Sequence, residues 1–282
     1  MGVNMEEINC LNFCEILNVI YEQDSTYEIV IDKLMTAKGL FNCQRIYIGS
    51  SFCSQYFLHL RNDEIDSLVH ACSKRNVRLT LVIPTFTEKD LEKGKIKLKS
   101  FSQYFYQIID EITVNDYGML KYIRDSYDIQ INMGRLFMKD YRDPRHEDYF
   151  MRVYMPKIFT KSIEKLVKEY GVSGFEFDLT HEFVDFSHRP EDIHIGIHYP
   201  YSYMTVGHIC ELASINKEIS KKFRPNAGCN KECHETRINY EFHDGREWFK
   251  YGRTIYFNNS DCKVKGISKI RMIFFPIAEV LV

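Results

Sequence analysis

The stretch EITVNDYGMLKYIRDSYDIQINMG (111–134) decides the fold. EITVND (111–116) reads as a strand, YGMLKYIRDSY (117–127) as a helix, and DIQINMG (128–134) as a second strand that Gly134 ends. A helix between two short strands makes them parallel neighbours in one sheet.

The same alternation extends in both directions. Upstream, EILNVIY (15–21) reads as a short apolar strand and TYEIVIDKLMTAKG (26–39) as an amphipathic helix ending at Gly39. RIYIGSSFC (45–53) repeats the strand, NDEIDSLVHACSKRN (62–76) the helix with an Asn or Asp cap, and VRLTLVIP (77–84) the strand. The basic stretch KGKIKLKS (93–100) leads into an aromatic helix expected over FSQYFYQIIDE (101–111). Downstream, residues 135–154 are polar, aromatic and rich in Arg and Asp, as in a long functional loop. MPKIFTKSIEKLVKEYG (155–171) is a helix with Gly171 as its C-cap, and GVSGFEFD (171–178) and DIHIGIHYP (192–200) are strands. GRTIYFNN (252–259) and SKIRMIFFP (268–276) read as late strands.

Seven or so strands alternating with helices predict an α/β chain folded as a (β/α) TIM-barrel-like domain, complete or partial, over residues 1–282. In such barrels chemistry gathers at the C-terminal ends of the strands. That rule brings Ser51, Cys53, Thr85, Asn115, Asp116, Arg135, Asp178, His181 and Tyr199 to one rim.

The totals restrict the function classes. With 37 basic against 39 acidic residues the net charge is −2, so no broad positive field favours nucleic acid, although KGKIKLKS and KKFR (221–224) are local basic stretches. Nine cysteines, an odd number, and an N-terminus without a signal peptide's pattern predict a reducing, cytoplasmic setting. The most apolar stretch, RMIFFPIAEVLV (271–282), is broken by Pro276 and falls short of the ~20 residues that span a bilayer. A lipid anchor is not expected, because MGVNME lacks the hydroxyl residue at its sixth position.

Thiols concentrate in YPYSYMTVGHICELASINKEISKKFRPNAGCNKECHE (199–235), which holds Cys210, Cys229 and Cys233. Cys229 and Cys233 sit four apart, so a helical turn or tight loop aims both sulfurs at one point, with Gly228 relaxing the backbone before them. A fourth ligand must come from elsewhere, and four cysteine sulfurs suit either a tetrahedral zinc or an iron-sulfur cube. The competing reading is of idle, buried cysteines.

Three local patterns together resemble the collagenase-like peptidase superfamily, in particular its ubiquinone-biosynthesis branch of UbiU/UbiV-like proteins. IYIGSSFCS (46–54) is similar to the family's strand, turn and Cys-Ser; EITVNDYGMLKYIRDSYDIQINMGRLFMKDYRDPR (111–145) is similar to its Val-Asn-Asp unit and its Gly-Arg-Leu segment closing on Arg-Asp-Pro-Arg. The third is the cysteine stretch itself, and the three occur in the family's order across roughly 46–240. The resemblance implies four ligands, Cys53, Cys210, Cys229 and Cys233, with the cluster-binding segment at 199–240 inserted at the C-terminal rim. It implies a 4Fe-4S cluster rather than zinc, a part in oxygen-independent hydroxylation, and a protein partner of the same superfamily. Related members hydroxylate RNA bases, with prephenate as a hydroxyl source. The spacer between Cys210 and Cys229 is longer than the family's, and larger members carry further C-terminal domains. No GxSxG or HExxH supports peptidase chemistry.

Other residues offer a substrate site. Arg135, Arg142 and Arg145, with Asp143, present guanidinium forks suited to a small acidic or aromatic substrate, against the alternative of a loop-holding ion-pair network. Asn115, Asp116 and Tyr199 join them as rim residues, and Asp178 and Arg135 are the candidate catalytic groups. His181, His194, His198 and His208, with Glu176, supply acid-base candidates, although histidines on a strand are more often packed. Tyr199, Tyr201 and Tyr203 alternate as a pocket wall or a buried strand face, and Cys10, Cys14, Cys43, Cys72 and Cys262 are read as structural.

Overall fold

The structure, a computed structural model, describes residues 6–23, 26–40, 43–139, 143–146, 148–150, 159–180, 183–186, 189–190, 192–225, 228–234, 236–260, 263–265, 267 and 269–280. In chain order the first strands are β1 (Glu6–Asn12), β2 (Arg45–Gly49), β3 (Arg78–Ile83), β4 (Ile109–Val114), β5 (Gln130–Met133) and β6 (Val172–Asp178). They are followed by β7 (Phe183–Asp185), β8 (His194–Tyr199), β9 (Tyr201–Val206), β10 (Arg237–Tyr240), β11 (Trp248–Tyr251), β12 (Thr254–Asn258), β13 (Lys263–Lys265) and β14 (Lys269–Phe274).

Eight strands close into a barrel in the order β1-β14-β8-β6-β5-β4-β3-β2, all neighbours parallel. A four-stranded antiparallel sheet, β10-β11-β12-β9, and a small pair, β13-β7, lie outside it. Helices flank the barrel: α1 (Leu17–Gln23), α2 (Tyr27–Lys38), α3 (Ser54–Leu58), α4 (Asn62–Arg75), α5 (Glu88–Phe101), α6 (Tyr117–Ser126), α7 (Lys161–Tyr170) and the short α8 (Ile277–Val280). Among the described residues no helix is long and apolar enough to cross a membrane.

Several local expectations hold. Gly39 and Gly171 end α2 and α7 at φ of 65° and 60°, a left-handed backbone that glycine adopts without a Cβ penalty. Others do not. EILNVIY is not a strand: Leu17 begins α1, and the first strand is the polar segment EEINCLN. KGKIKLKS is the second half of α5, whereas FSQYFYQIIDE contributes only the helix's last residue, a 3₁₀ turn and the start of β4. GRTIYFNN supplies β12 of the antiparallel sheet rather than a barrel stave. The barrel is also complete, with one stave more than the seven anticipated.

The side chains inside the barrel are largely polar, which explains why β1 reads poorly as a core strand. At the N-terminal end Arg271 donates to both oxygens of Glu111, at 2.9 and 2.7 Å, and Thr80 donates to Glu111 at 2.8 Å. Arg45 bridges Thr80 at 3.1 Å and Asp110 at 2.6 Å. One layer up, Thr113 donates to Glu176 at 2.5 Å, and Glu176 lies 2.9 Å from His198 Nε2. Burial raises Glu176 to about 8, and burial with nearby Arg135 pushes His198 well below its ordinary value, so near neutrality this pair is an uncharged carboxyl and imidazole.

Glu111 behaves in the opposite way. Burial alone would raise it, but Arg271 and Arg45 overrule that effect and hold its carboxyl down at about 2. A depressed carboxylate stabilises the fold above its unfolded value near 4.5 and loses that contribution as pH falls toward about 2. Urea unfolding should therefore show wild-type stability declining across that acid window. Arg271→Met, which leaves Glu111 buried beside only Arg45, should cost about 3 kcal/mol at pH 7 and flatten the acid decline. Equal stability of the two proteins at pH 7 would contradict the network's role.

Candidate functional site

The hairpin β11–β12 turns through two residues, with Gly252 at φ 57° in the first central position that this tight turn reserves for glycine. Its tip is tied to the C-terminal mouth of the barrel. Arg253 Nη2 donates to the carbonyl of Phe52, just beyond β2, at 2.7 Å, and the Tyr251 hydroxyl donates to the carbonyl of Glu15, just beyond β1, at 3.0 Å. Asn259 donates to the carbonyl of His198 in β8 at 3.0 Å. These bonds lay the antiparallel sheet across that mouth.

Between sheet and barrel lies a pocket whose lining includes Cys53, Cys210, Cys229 and Cys233, together with Glu15 and Arg253. Cys53 comes from the N-terminus of α3 after β2, the other three from the segment after β9. Three of the sulfurs accept a backbone N–H: Cys53 from Tyr56 at 3.4 Å, Cys210 from Ala213 at 3.5 Å and Cys229 from Lys231 at 3.2 Å. Gly252 lies beside the fourth: a Cβ there would stand 3.8 Å from Cys233 Sγ, an ordinary van der Waals contact. The eight described cysteines are free thiols, and Cys262 lies outside the described residues.

The thiols perturb one another. Burial raises Cys53 and is opposed by Arg253; burial raises Cys229 to about 11; and burial together with Cys53, Cys229 and Cys210 lifts Cys233 well above the usual range. Without a cation among them Cys53, Cys229 and Cys233 keep their protons, so metal binding would release protons. No group of three or more His, Cys, Asp or Glu side chains among the described residues is arranged to hold a metal ion.

The expected substrate residues do not gather in one place. Arg135, 2 % exposed, sits in the barrel mouth beside the packed rings of Phe52 and Tyr203, 4.9 and 5.6 Å from their centroids. Its fork is engaged by Asp178, through Nε at 2.8 Å and through Nη2, and Asp178 also accepts from the backbone N–H of Tyr203 at 2.9 Å. Asn115 brackets the backbone at the end of β5, accepting from Leu136 at 3.0 Å. Asp116 caps α6, accepting from Met119 at 2.9 Å and from Phe86 at 3.1 Å. Tyr199 packs its ring 5.4 Å from Phe274. Arg145 pairs with Asp143 at 2.8 Å beside Phe242 and Trp248, in a polar pocket with His146 and Arg246. Arg142 and His181 lie outside the described residues.

Of the other histidines, His194 is held near 4 by burial and by Arg271, and His208 lines the cysteine pocket. Arg253 escaped notice in the sequence. The cue was the Gly-Arg pair between the alternating runs WFKY and TIYF, a hairpin signal that also fixes where Arg253 must sit.

Comparison with known protein families, with curated proteins and with solved structures finds no match for this chain. The geometry of the mouth makes its own prediction. Asp178→Asn leaves the Arg135 cation buried without a carboxylate and should lower unfolding stability by about 3 kcal/mol, while adding Arg135→Met should recover part of that loss. A single variant as stable as wild type in chemical denaturation would refute this ion pair's role.

Proposed function

We propose that the chain is a 4Fe-4S redox protein of the UbiU/UbiV-like type, with the antiparallel sheet and its cysteines acting as a cluster-bearing insertion at the C-terminal rim, and that it takes part in an oxygen-independent hydroxylation of a small acidic or aromatic substrate. The observation that carries the reading is the convergence of Cys53, Cys210, Cys229 and Cys233 on one pocket from distant parts of the chain. An all-sulfur donor set suits soft metal chemistry.

The choice of a cube over zinc rests on the family resemblance, since four thiolates suit either metal. Zinc bonds sulfur at 2.3 Å, which requires sulfurs roughly 3.8 Å apart in a tetrahedron. A cube gives each cysteine its own iron and accepts a wider spread.

When bound, the cluster supplies one-electron transfer. The chain's own residues hold and shield it. The four thiolates are the ligands, the backbone N–H groups of Tyr56, Ala213 and Lys231 stabilise sulfur charge, and Tyr56, Tyr251 and Tyr256 wall the pocket against water. A reducing, cytoplasmic setting suits this free-thiol chemistry.

One observation favours a second reading, that the chain is a cluster-bearing accessory subunit whose partner, of the same superfamily, holds the substrate. Phe52, Tyr203, Tyr256 and the paired Arg135 pack together in the barrel mouth, where a substrate would otherwise enter. An RNA base has still less support, given the net charge of −2.

Anaerobic reconstitution distinguishes a cluster from none. Wild type should retain about four irons and four sulfides per chain. Cys53→Ser, Cys210→Ser, Cys229→Ser and Cys233→Ser should each lose most of both, while Cys72→Ala, in the apolar core, should keep them. Full retention by the Cys53 variant would remove that residue from the ligand set.

A further inference from the structure

Arg253 is 6 % exposed, and its hydrogen bonds run to neutral carbonyls: Nη2 to Phe52 at 2.7 Å and Nη1 to His208 at 3.3 Å. Its Nε is buried with no hydrogen-bond partner among the described residues. Other deeply placed arginines of the barrel each have a carboxylate: Arg45 has Asp110, Arg135 has Asp178 and Arg271 has Glu111. Arg253 has none within ion-pair distance among the described residues. Glu15 shares the pocket lining, but its Oε1 accepts from Ser50 Oγ at 2.6 Å and from Phe52 N at 3.0 Å, and burial raises its pKa. A buried guanidinium without a counter-ion is strongly unfavourable, so the negative charge must come from whatever fills the pocket.

We infer that Arg253 is the countercharge of a net-negative metal–thiolate centre in the cysteine pocket, and that it governs how firmly that centre is held and how readily it accepts an electron. The inference rests on the metal-binding reading but not on the choice of metal. Four thiolates outweigh the double positive charge of either a zinc ion or an oxidised cube, so both centres are anionic. A neighbouring fixed cation retains such an anion and favours adding a further electron. The hairpin turn supplies the rigidity: Gly252 and the Phe52 carbonyl leave the guanidinium little freedom beside the thiols.

The test uses the full chain, anaerobically reconstituted, as wild type, Arg253→Lys and Arg253→Gln. The lysine keeps the charge; the glutamine keeps a hydrogen-bond donor without it. Metal content, the rate of metal release to a chelator and the midpoint potential are read for each, with circular dichroism as the check on folding. Arg253→Gln should release metal about tenfold faster and, for an iron-sulfur centre, shift the reduction equilibrium about tenfold toward the oxidised form, which is 59 mV more negative for a one-electron couple. Arg253→Lys should stay near wild type in both. A fully loaded glutamine variant with unchanged release rate and potential overturns the inference while leaving the cluster intact. If wild type binds zinc, the release rates still decide the role of Arg253 and the iron-sulfur assignment fails alone. A wild type that binds no metal overturns both.

Discussion

Closure of the barrel through β1 is the constraint on which the other features depend. β1 pairs with β14 over Glu6–Leu11 and with β2 over Cys10–Asn12, so the first and last parts of the chain become neighbours. That pairing puts the loops after β1 and β2, with Glu15, Phe52 and Cys53, beside a segment that enters between β8 and β14. The antiparallel sheet is then held to those loops by Tyr251 and Arg253. An open sheet with β1 and β2 elsewhere would leave Cys53 without its three companions.

Charge is distributed along the barrel axis in a consistent way. At the N-terminal end Glu111 is ionised and held by two arginines; in the middle Glu176 and His198 share a hydrogen bond as neutral groups; at the mouth Arg135 and Asp178 form a paired ion. Each layer is electrically satisfied within itself, which suits a structural filling better than a substrate cavity. The pocket beside Arg253 breaks this pattern, and it is also where the thiols gather.

The alternation of strands and helices was legible because α2 and α7 end at glycine caps and staves such as RIYIG and RLTLVI carry β-branched residues. The exceptions have physical causes. Of EILNVIY, residues 15–20 are all buried, and a short continuous apolar run does not distinguish a strand from a buried helix. EEINCLN hides its role because Cys10 lies among Tyr47, Arg45, Arg271 and Glu111 as well as Val82 and Ile273, so its layer is not purely aliphatic. The four cysteines could be named in advance, three from their own spacing and Cys53 from the family resemblance alone. The arginine set could not be sorted: nothing in the residue pattern says that Arg135 is committed to Asp178, Arg145 to Asp143, and Arg253 to no carboxylate among the described residues.

The account thus joins a closed parallel barrel, which is observed, to an inorganic centre at its rim, which is proposed from thiol convergence and an unbalanced buried cation. The most direct measurement is an X-ray absorption spectrum at the iron edge on the anaerobically reconstituted chain. The account predicts iron surrounded by sulfur, with a short iron–iron shell that only a multinuclear cluster produces. An oxygen- or nitrogen-dominated shell without iron neighbours, or a chain that takes up no iron, would contradict it.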